Sequence, residues 1–142
     1  MKSVKHNAHV LEWKWNANHR VKSPALSDDN NCTVRAIMNA FDWSLDRAYH
    51  HLEAHGRKHG RGPSWNAYKK AVEAACKATG RKMIVEEVSS YGKTIKTAQR
   101  AFSGSQTYIL GVRGHTLSFN KGYTNDWADG RKHHIHTIWR IA

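Results

Sequence analysis

Acidic residues are scarce in this chain beside basic ones. Eleven Asp and Glu stand against 23 Lys and Arg, a formal charge of +12 with histidine neutral. Cysteine occurs twice, at Cys32 and Cys76, too few for a disulfide framework, and a reducing compartment would keep both as thiols. No apolar run is long enough to span a bilayer. Met1–His9 has no apolar core of a signal peptide, so a cytoplasmic location is expected, with no membrane partner. There is no internal repeat and no low-complexity linker. The 142 residues read as a single domain, 1–142, with a stem to residue 27, a helical part over 28–80 and a sheet part over 81–142. That length can bury a real core. Hydrophobic residues make up only 39%, but six Trp and five Tyr supply large apolar surfaces.

The excess of positive charge favours polyanions: nucleic acid, an acidic protein or an anionic surface. It is spread along the chain, with local clusters at Arg57-Lys58-His59-Gly60-Arg61, Arg81-Lys82 and Arg131-Lys132-His133-His134. No single groove is marked. His50, His51, His55 and His59 crowd one helix and the loop after it. His51 and His55 have the i, i+4 spacing of a metal pair, yet no glutamate adjoins the first and no cysteine recurs at ligand spacing. They read as solvated helix histidines, and neither a metal nor a cofactor is expected.

The elements fall in the order helices, then strands. Val10 to Trp15 alternates like a short edge strand, and Val21 to Leu26 is a loop. A helix over 32–41 has Val34, Ile37, Met38 and Phe41 at i, i+3, i+4 and i+7. Ser44 caps a helix over 45–55 that buries Leu45, Ala48, Tyr49 and Leu52 and stops at Gly56. Ser64 caps a third over 65–79, with Trp65, Tyr68, Val72, Ala75 and Cys76 on its apolar face and Gly80 at its end. Arg81 to Val88 reads as a strand and Thr94 to Phe102 as a short helix. Thr107 to Val112 is a nearly continuous apolar run suited to a central strand. His115 to Phe119, Tyr123 to Trp127 and His134 to Ile141 complete the sheet, the last with Ile135, Thr137, Trp139 and Ile141 on one face. This is an α+β domain.

Cys32 stands out because Asp28-Asp29-Asn30-Asn31 precedes it as a run of helix-capping residues. A thiol in the first helical turn meets unpaired amides and the positive end of the helix dipole, and ionises more easily. Cys76, mid-helix on the buried stripe, reads as core. A nucleophilic thiol needs a base, and the base an orienting group. Gly114-His115 opens a strand beside a buried one, so His115 projects from a sheet edge. With a two-residue turn at Lys121-Gly122, Leu117 faces Asp126, and Asp126 lies diagonally from His115 on the same face. A three-residue turn would hand the role to Asn125 or Asp129.

The order Asn31-Cys32-Thr33-Val34-Arg35-Ala36-Ile37, then Gly56-Arg57, the aromatic helix from Trp65, Thr94 to Phe102, Tyr108-Ile109, Gly114-His115 and Gly122-Tyr123-Thr124-Asn125-Asp126-Trp127 resembles the papain-like cysteine peptidase fold. Its nearest look is to bacteriocin-leader-processing domains and small bacteriophage-encoded members. The resemblance covers Asp28 to Ile141. It implies Cys32 as nucleophile, His115 as base and Asp126 or Asn125 as orienter. The family pattern has a glutamine six positions before the cysteine, where this chain has Leu26. The oxyanion hole then falls to Asn30 or Asn31 with the backbone amide of Cys32. The expected activity is thiol-dependent acyl transfer on a protein or peptide, with an acidic host protein drawn in by the positive field, in the host cytoplasm if the protein is phage-borne. Arg57, Lys58 and Arg61 are expected to capture it. The alternative is a basic module that binds nucleic acid or an acidic host protein through the same fold, with the triad unused.

Overall fold

The computed structural model describes residues 30–142. The expected Val10–Trp15 strand, the loop to Leu26 and the residues Asp28 and Asp29 lie outside them. The described residues form an α+β domain. Helices α1 (Cys32–Phe41), α2 (Leu45–Ala54) and α3 (Trp65–Ala78) come first. Strand β1 (Met83–Glu86), a 3-10 turn (Val88–Tyr91) and helix α4 (Ile95–Ala101) follow. Strands β2 (Thr107–Val112), β3 (His115–Asn120) and β4 (Ile135–Ile141) end the chain. All pairings are antiparallel, in the order β1-β4-β2-β3. No helix among the described residues is long and apolar enough to cross a membrane.

Local chemistry accounts for the helix limits. Ser44 and Ser64 accept hydrogen bonds from the Arg47 and Ala67 amides, satisfying first-turn donors. Thr94 and Thr97 form a reciprocal capping box at α4. Asn31 occupies the N-cap position of α1, but its side chain makes no capping bond. The first strand is shorter than the sequence suggests, Met83–Glu86 rather than Arg81 to Val88, and the chain then tightens into the 3-10 turn.

The sheet is covered on both faces, which is why every residue of β2 is buried. On one face α1, α2 and α3 pack Val34, Ile37, Leu52, Tyr68 and Val72 against Ile109, Trp139 and Ile141. On the other, Ile95 and Ala98 of α4 meet Tyr108, Leu110, Leu117, Ile135 and Ile138. The expectation that Ile135 shares a face with Trp139 and Ile141 fails. Gly111 pairs with Thr137 but Val112 pairs with Ile135, so β4 carries one extra residue, His136. A bulge of this kind inverts the alternation beyond it. Gly111 sits at that point because a Cβ there would lie 2.6 Å from both the His136 and the Trp65 rings.

The expected strand from Tyr123 to Trp127 is also corrected. Lys121 (φ 52°) and Gly122 (φ 82°) do form the two-residue turn, with both residues in the left-handed region such a hairpin requires. Pairing then stops after a single bridge, Asn120 with Tyr123. Helix α1 takes the place a further strand would need. Asn39 Nδ2 donates to the Ser118 carbonyl (3.0 Å) and to the Tyr123 carbonyl (3.2 Å). The Ser118 hydroxyl donates to the Ala36 carbonyl (2.7 Å), and Asn120 Nδ2 to the Asn39 carbonyl (2.9 Å). Strand β3 is thus the sheet's edge, with a polar seam to α1 closing it.

Asn120 also accepts from the buried Thr107 hydroxyl (2.8 Å). Replacing it with alanine strands several buried groups at once. Asn120→Ala should lower unfolding stability by about 1–3 kcal/mol, measured as the shift in urea midpoint. A shift near zero would mean that the seam contributes nothing to holding α1 on β3.

Candidate active site

Helix α1 begins at the level where β3 begins, so the seam brings Cys32 to His115. The thiol is hydrogen-bonded to the His115 side chain and receives the backbone amides of Thr116 and Thr33. His115 Nε2 donates to Asp126 Oδ2 at 2.8 Å, because an ionised carboxylate can only accept. The other ring nitrogen, Nδ1, is left for the thiol. Of the three orienting residues open on sequence grounds, Asp126 makes the contact. Asp129 Oδ1 instead accepts from Gln99 Nε2 (2.7 Å), and Asn125 is exposed.

Asp126 reaches His115 from a turn, not from the strand that the sequence suggested. Its Oδ2 also accepts the Ala128 amide (2.9 Å), the side-chain-to-backbone closure typical of aspartate in turns. Backbone bonds from Asp129 N to Asp126 O and from Arg131 N to Ala128 O continue that turn. Ala128, fully buried, anchors it in the second core. The carboxylate is therefore fixed from two sides.

Trp127 lies against the His115 ring, centroids 4.7 Å apart, and its other side meets the His133 ring. It remains 60% exposed. Asn30, Asn31, Cys32, Arg35, Gly114, His115, Asp126 and Trp127 line one cleft of about 290 Å³. The sequence pairs Trp127 only with a strand and gives Arg35 no role. The spacing of Arg35, three residues after Cys32 on one helix, was the available signal.

Two opposing effects set the charge state. Burial acts to raise the Cys32 pKa, but the hydrogen bond from His115, the Thr116 amide, the positive charge of His115 and the Thr33 amide together outweigh it. The net result lies below the ordinary thiol value. For His115, burial acts to lower the pKa, and the bonds to Asp126 and Cys32 overcome it, raising the imidazole to about 9. The two shifts run in the direction of a thiolate beside an imidazolium.

Beneath the pair sits Tyr68 of α3, fully buried. Its hydroxyl donates to the Thr33 carbonyl (3.4 Å) and contacts the Thr116 side chain. Those are the two residues whose amides hold the thiol. Burial keeps the phenol neutral by pushing its pKa far up. The sequence marks Tyr68 only as an apolar-face residue, since helical spacing cannot show where a hydroxyl ends.

Other expectations divide. Cys76 is 2% exposed, in the core as expected, and burial raises its thiol to about 11. The histidines of α2 and the loop after it are not merely solvated. His51 Nε2 donates to the Ala71 carbonyl (2.7 Å), His55 Nδ1 to the His51 carbonyl (2.8 Å), and His59 Nδ1 shares a hydrogen bond with the Tyr49 hydroxyl (2.9 Å). Arg57 is no surface capture residue. It is 4% exposed and donates to the Asn30 carbonyl at 2.7 Å, so it shapes the wall of the cleft from behind. Lys58 and Arg61 are exposed.

Iodoacetamide near neutral pH should alkylate Cys32 well before Cys76, as read by peptide mass mapping. His115→Ala removes two of the effects that lower the thiol pKa and leaves burial in place. The pH midpoint of Cys32 labelling should then rise by roughly 1–3 units. Tyr68→Phe, which keeps the packing, should raise it by about 0.5–1 unit, the equivalent of one hydrogen bond. Equal labelling of both cysteines, or an unmoved midpoint in His115→Ala, contradicts this geometry.

No family model, no curated protein and no solved structure matches the chain, so function must be read from the site itself.

Proposed function

We propose that the protein is a papain-like cysteine hydrolase or acyl-transfer enzyme working through Cys32, His115 and Asp126. The observation that carries the reading is the continuous chain of contacts from the Cys32 thiol through the His115 ring to Asp126 Oδ2. Nucleophile, base and orienter each need the next within hydrogen-bond reach, and here each has it. The thiol on a helix start and the histidine on an adjacent edge strand also agree with the sequence resemblance.

In this mechanism the Cys32 thiolate attacks a substrate carbonyl carbon and forms a C–S bond. The oxyanion is held by the Cys32 amide with the Asn31 or Asn30 side chain. The tetrahedral adduct collapses, the C–N bond breaks, and the proton on His115 Nδ1 leaves with the amine. Water, or another amine, then attacks the thioester. His115 takes its proton, the acid or new amide departs, and the thiolate and imidazolium are restored. Asp126 keeps the ring in one orientation and stabilises its positive form. Trp127 shields one face of the imidazole from water, which strengthens the bond behind it. The substrate is a protein or peptide.

The charge of +12 supports a second reading, a basic module that holds nucleic acid or an acidic host protein with the triad idle. Salt separates the two, since phosphate binding falls steeply with ionic strength and acylation by a small neutral ester does not.

p-Nitrophenyl acetate tests the enzyme reading without knowledge of the natural substrate. The wild type should release nitrophenol with a burst and carry an acetyl group on Cys32 by intact mass. Cys32→Ala should show neither. His115→Ala should acylate about 10²–10⁴-fold more slowly, the usual contribution of a positioned base. Acetylation spread over lysines with Cys32 unmodified would leave the binding module as the better account.

A further inference from the structure

The sequence spreads its positive charge along the chain, but folding gathers part of it on one surface. Helix α4 and the segment 131–134 lie side by side. The Lys96 amide donates to the Arg131 carbonyl (3.0 Å), the Ile95 amide to the His133 carbonyl (3.1 Å) and the Ile135 amide to the Lys93 carbonyl (2.7 Å). Gln99 closes the junction. It donates to Asp129 Oδ1 and accepts the Gly130 amide, both at 2.7 Å. Ile95 and Ala98 turn into the core, so Lys96 and Arg100, four residues apart, share the outward side of the helix. Lys93, Lys96, Arg100, Arg131 and Lys132 are all exposed.

The stretches 93–101 and 127–134 contain one acid between them, Asp129, and its Oδ1 is taken by Gln99. Among the described residues none of the five cations makes an ion pair. Like charges on one surface repel one another, and an anionic ligand relieves the repulsion.

This surface runs into the cleft. His133, next to Lys132, meets the Trp127 ring with centroids 5.5 Å apart, and Trp127 in turn meets the His115 ring. The chain from Asp126 to Arg131 is held as one piece by the Asp129-to-Asp126 and Arg131-to-Ala128 backbone bonds. A ligand lying on α4 and 131–134 therefore reaches Cys32 by crossing Trp127. The chemistry waiting there separates one polyanion from another. A thiolate attacks a carbonyl carbon. A nucleic acid backbone offers it phosphodiesters, whereas every residue of a polypeptide offers an amide.

We propose that this surface is the substrate-docking site, and that its partner is an acidic polypeptide segment. A run of Asp and Glu lies over Lys96 and Arg131, and a neighbouring residue past Trp127 presents its carbonyl to Cys32. This rests on the reading of Cys32 as the nucleophile. It moves substrate capture away from Arg57, which is buried, to α4 and the turn that follows Trp127.

Fluorescein-labelled decaglutamate tests the surface on the full chain, read by anisotropy at fixed pH and low salt. Lys96→Glu combined with Arg131→Glu should weaken binding at least about tenfold. Lys70→Glu combined with Lys77→Glu makes the same change in net charge at exposed positions of α3, which packs on the opposite face of the sheet. That pair should weaken binding no more than about threefold. Equal weakening by the two pairs overturns the proposal, because net charge and not this surface would then hold the peptide. An oligothymidylate of equal charge that displaces the probe at about one-tenth the concentration of unlabelled decaglutamate also overturns it, since phosphate would then be the anion preferred.

A second arm ties the surface to the thiol. A p-nitrophenyl ester of acetyl-pentaglutamate should acylate Cys32 of the wild type at least about fivefold faster than its glutamine counterpart, and the advantage should shrink toward one at about 1 M salt. Equal rates for the two esters overturn the proposal. The Lys96 and Arg131 double variant should lose the advantage while iodoacetamide still labels its Cys32 at the wild-type rate, which shows the fold and the thiol intact. If iodoacetamide fails to select Cys32 over Cys76 in the wild type, the nucleophile reading falls and the proposal with it. Equal weakening by the two charge-reversed pairs at a reactive Cys32 overturns the docking surface alone.

Discussion

The edge of strand β3 is the constraint on which this structure depends. An edge strand presents unpaired amides and carbonyls that must find partners or stay in water. Here they find helix α1. Asn39 takes the Ser118 carbonyl, and Ser118 reaches back to the helix backbone. At the far end, the Thr116 amide meets the Cys32 thiol. The same seam that closes the sheet thus places a thiol beside a histidine on the first residue of that strand. Ending the hairpin after Tyr123 is part of the same arrangement, because a fourth ladder on that side would displace the helix and separate Cys32 from His115.

Electrostatics then follow from position. A buried thiol and a buried imidazole would each resist charging on their own. Brought together, with Asp126 behind the ring and two amides on the sulfur, they charge each other. Neither effect could be had from the helix dipole alone, which acts weakly and fades within a turn. Tyr68 belongs to this balance although it is distant in sequence, since its hydroxyl meets both residues that lend the amides.

Much of the fold was legible in the sequence. Helix limits were marked by Ser44, Ser64 and the periodic apolar residues, all short-range signals. The fully apolar run of β2 announced a strand covered on both faces. What could not be read depended on tertiary competition. The alternation of Tyr123–Trp127 reads as a strand, but α1 already occupies the edge it would pair with. The His136 bulge reversed the face of Ile135, and only the partner strand's glycine reveals why. Cys32, His115 and Asp126 were legible as a set, although the ladder argument for Asp126 holds only as far as the Asn120–Tyr123 bridge; an Asp turn does the rest. Arg57 was misread because a basic cluster in sequence says nothing of which member turns inward. The roles of Tyr68 and Trp127 were hidden because each depends on where a side chain ends rather than where its Cα begins.

The central claim is that Cys32 is held as a thiolate by His115, and the most direct measurement is the ultraviolet absorbance of the thiolate itself. A difference titration of the wild type against Cys32→Ala at 240 nm isolates that one group. The account predicts a transition below the ordinary thiol value of 9.0, and its displacement upward in His115→Ala. A transition at or above the ordinary value in the wild type, unmoved by loss of His115, would contradict it.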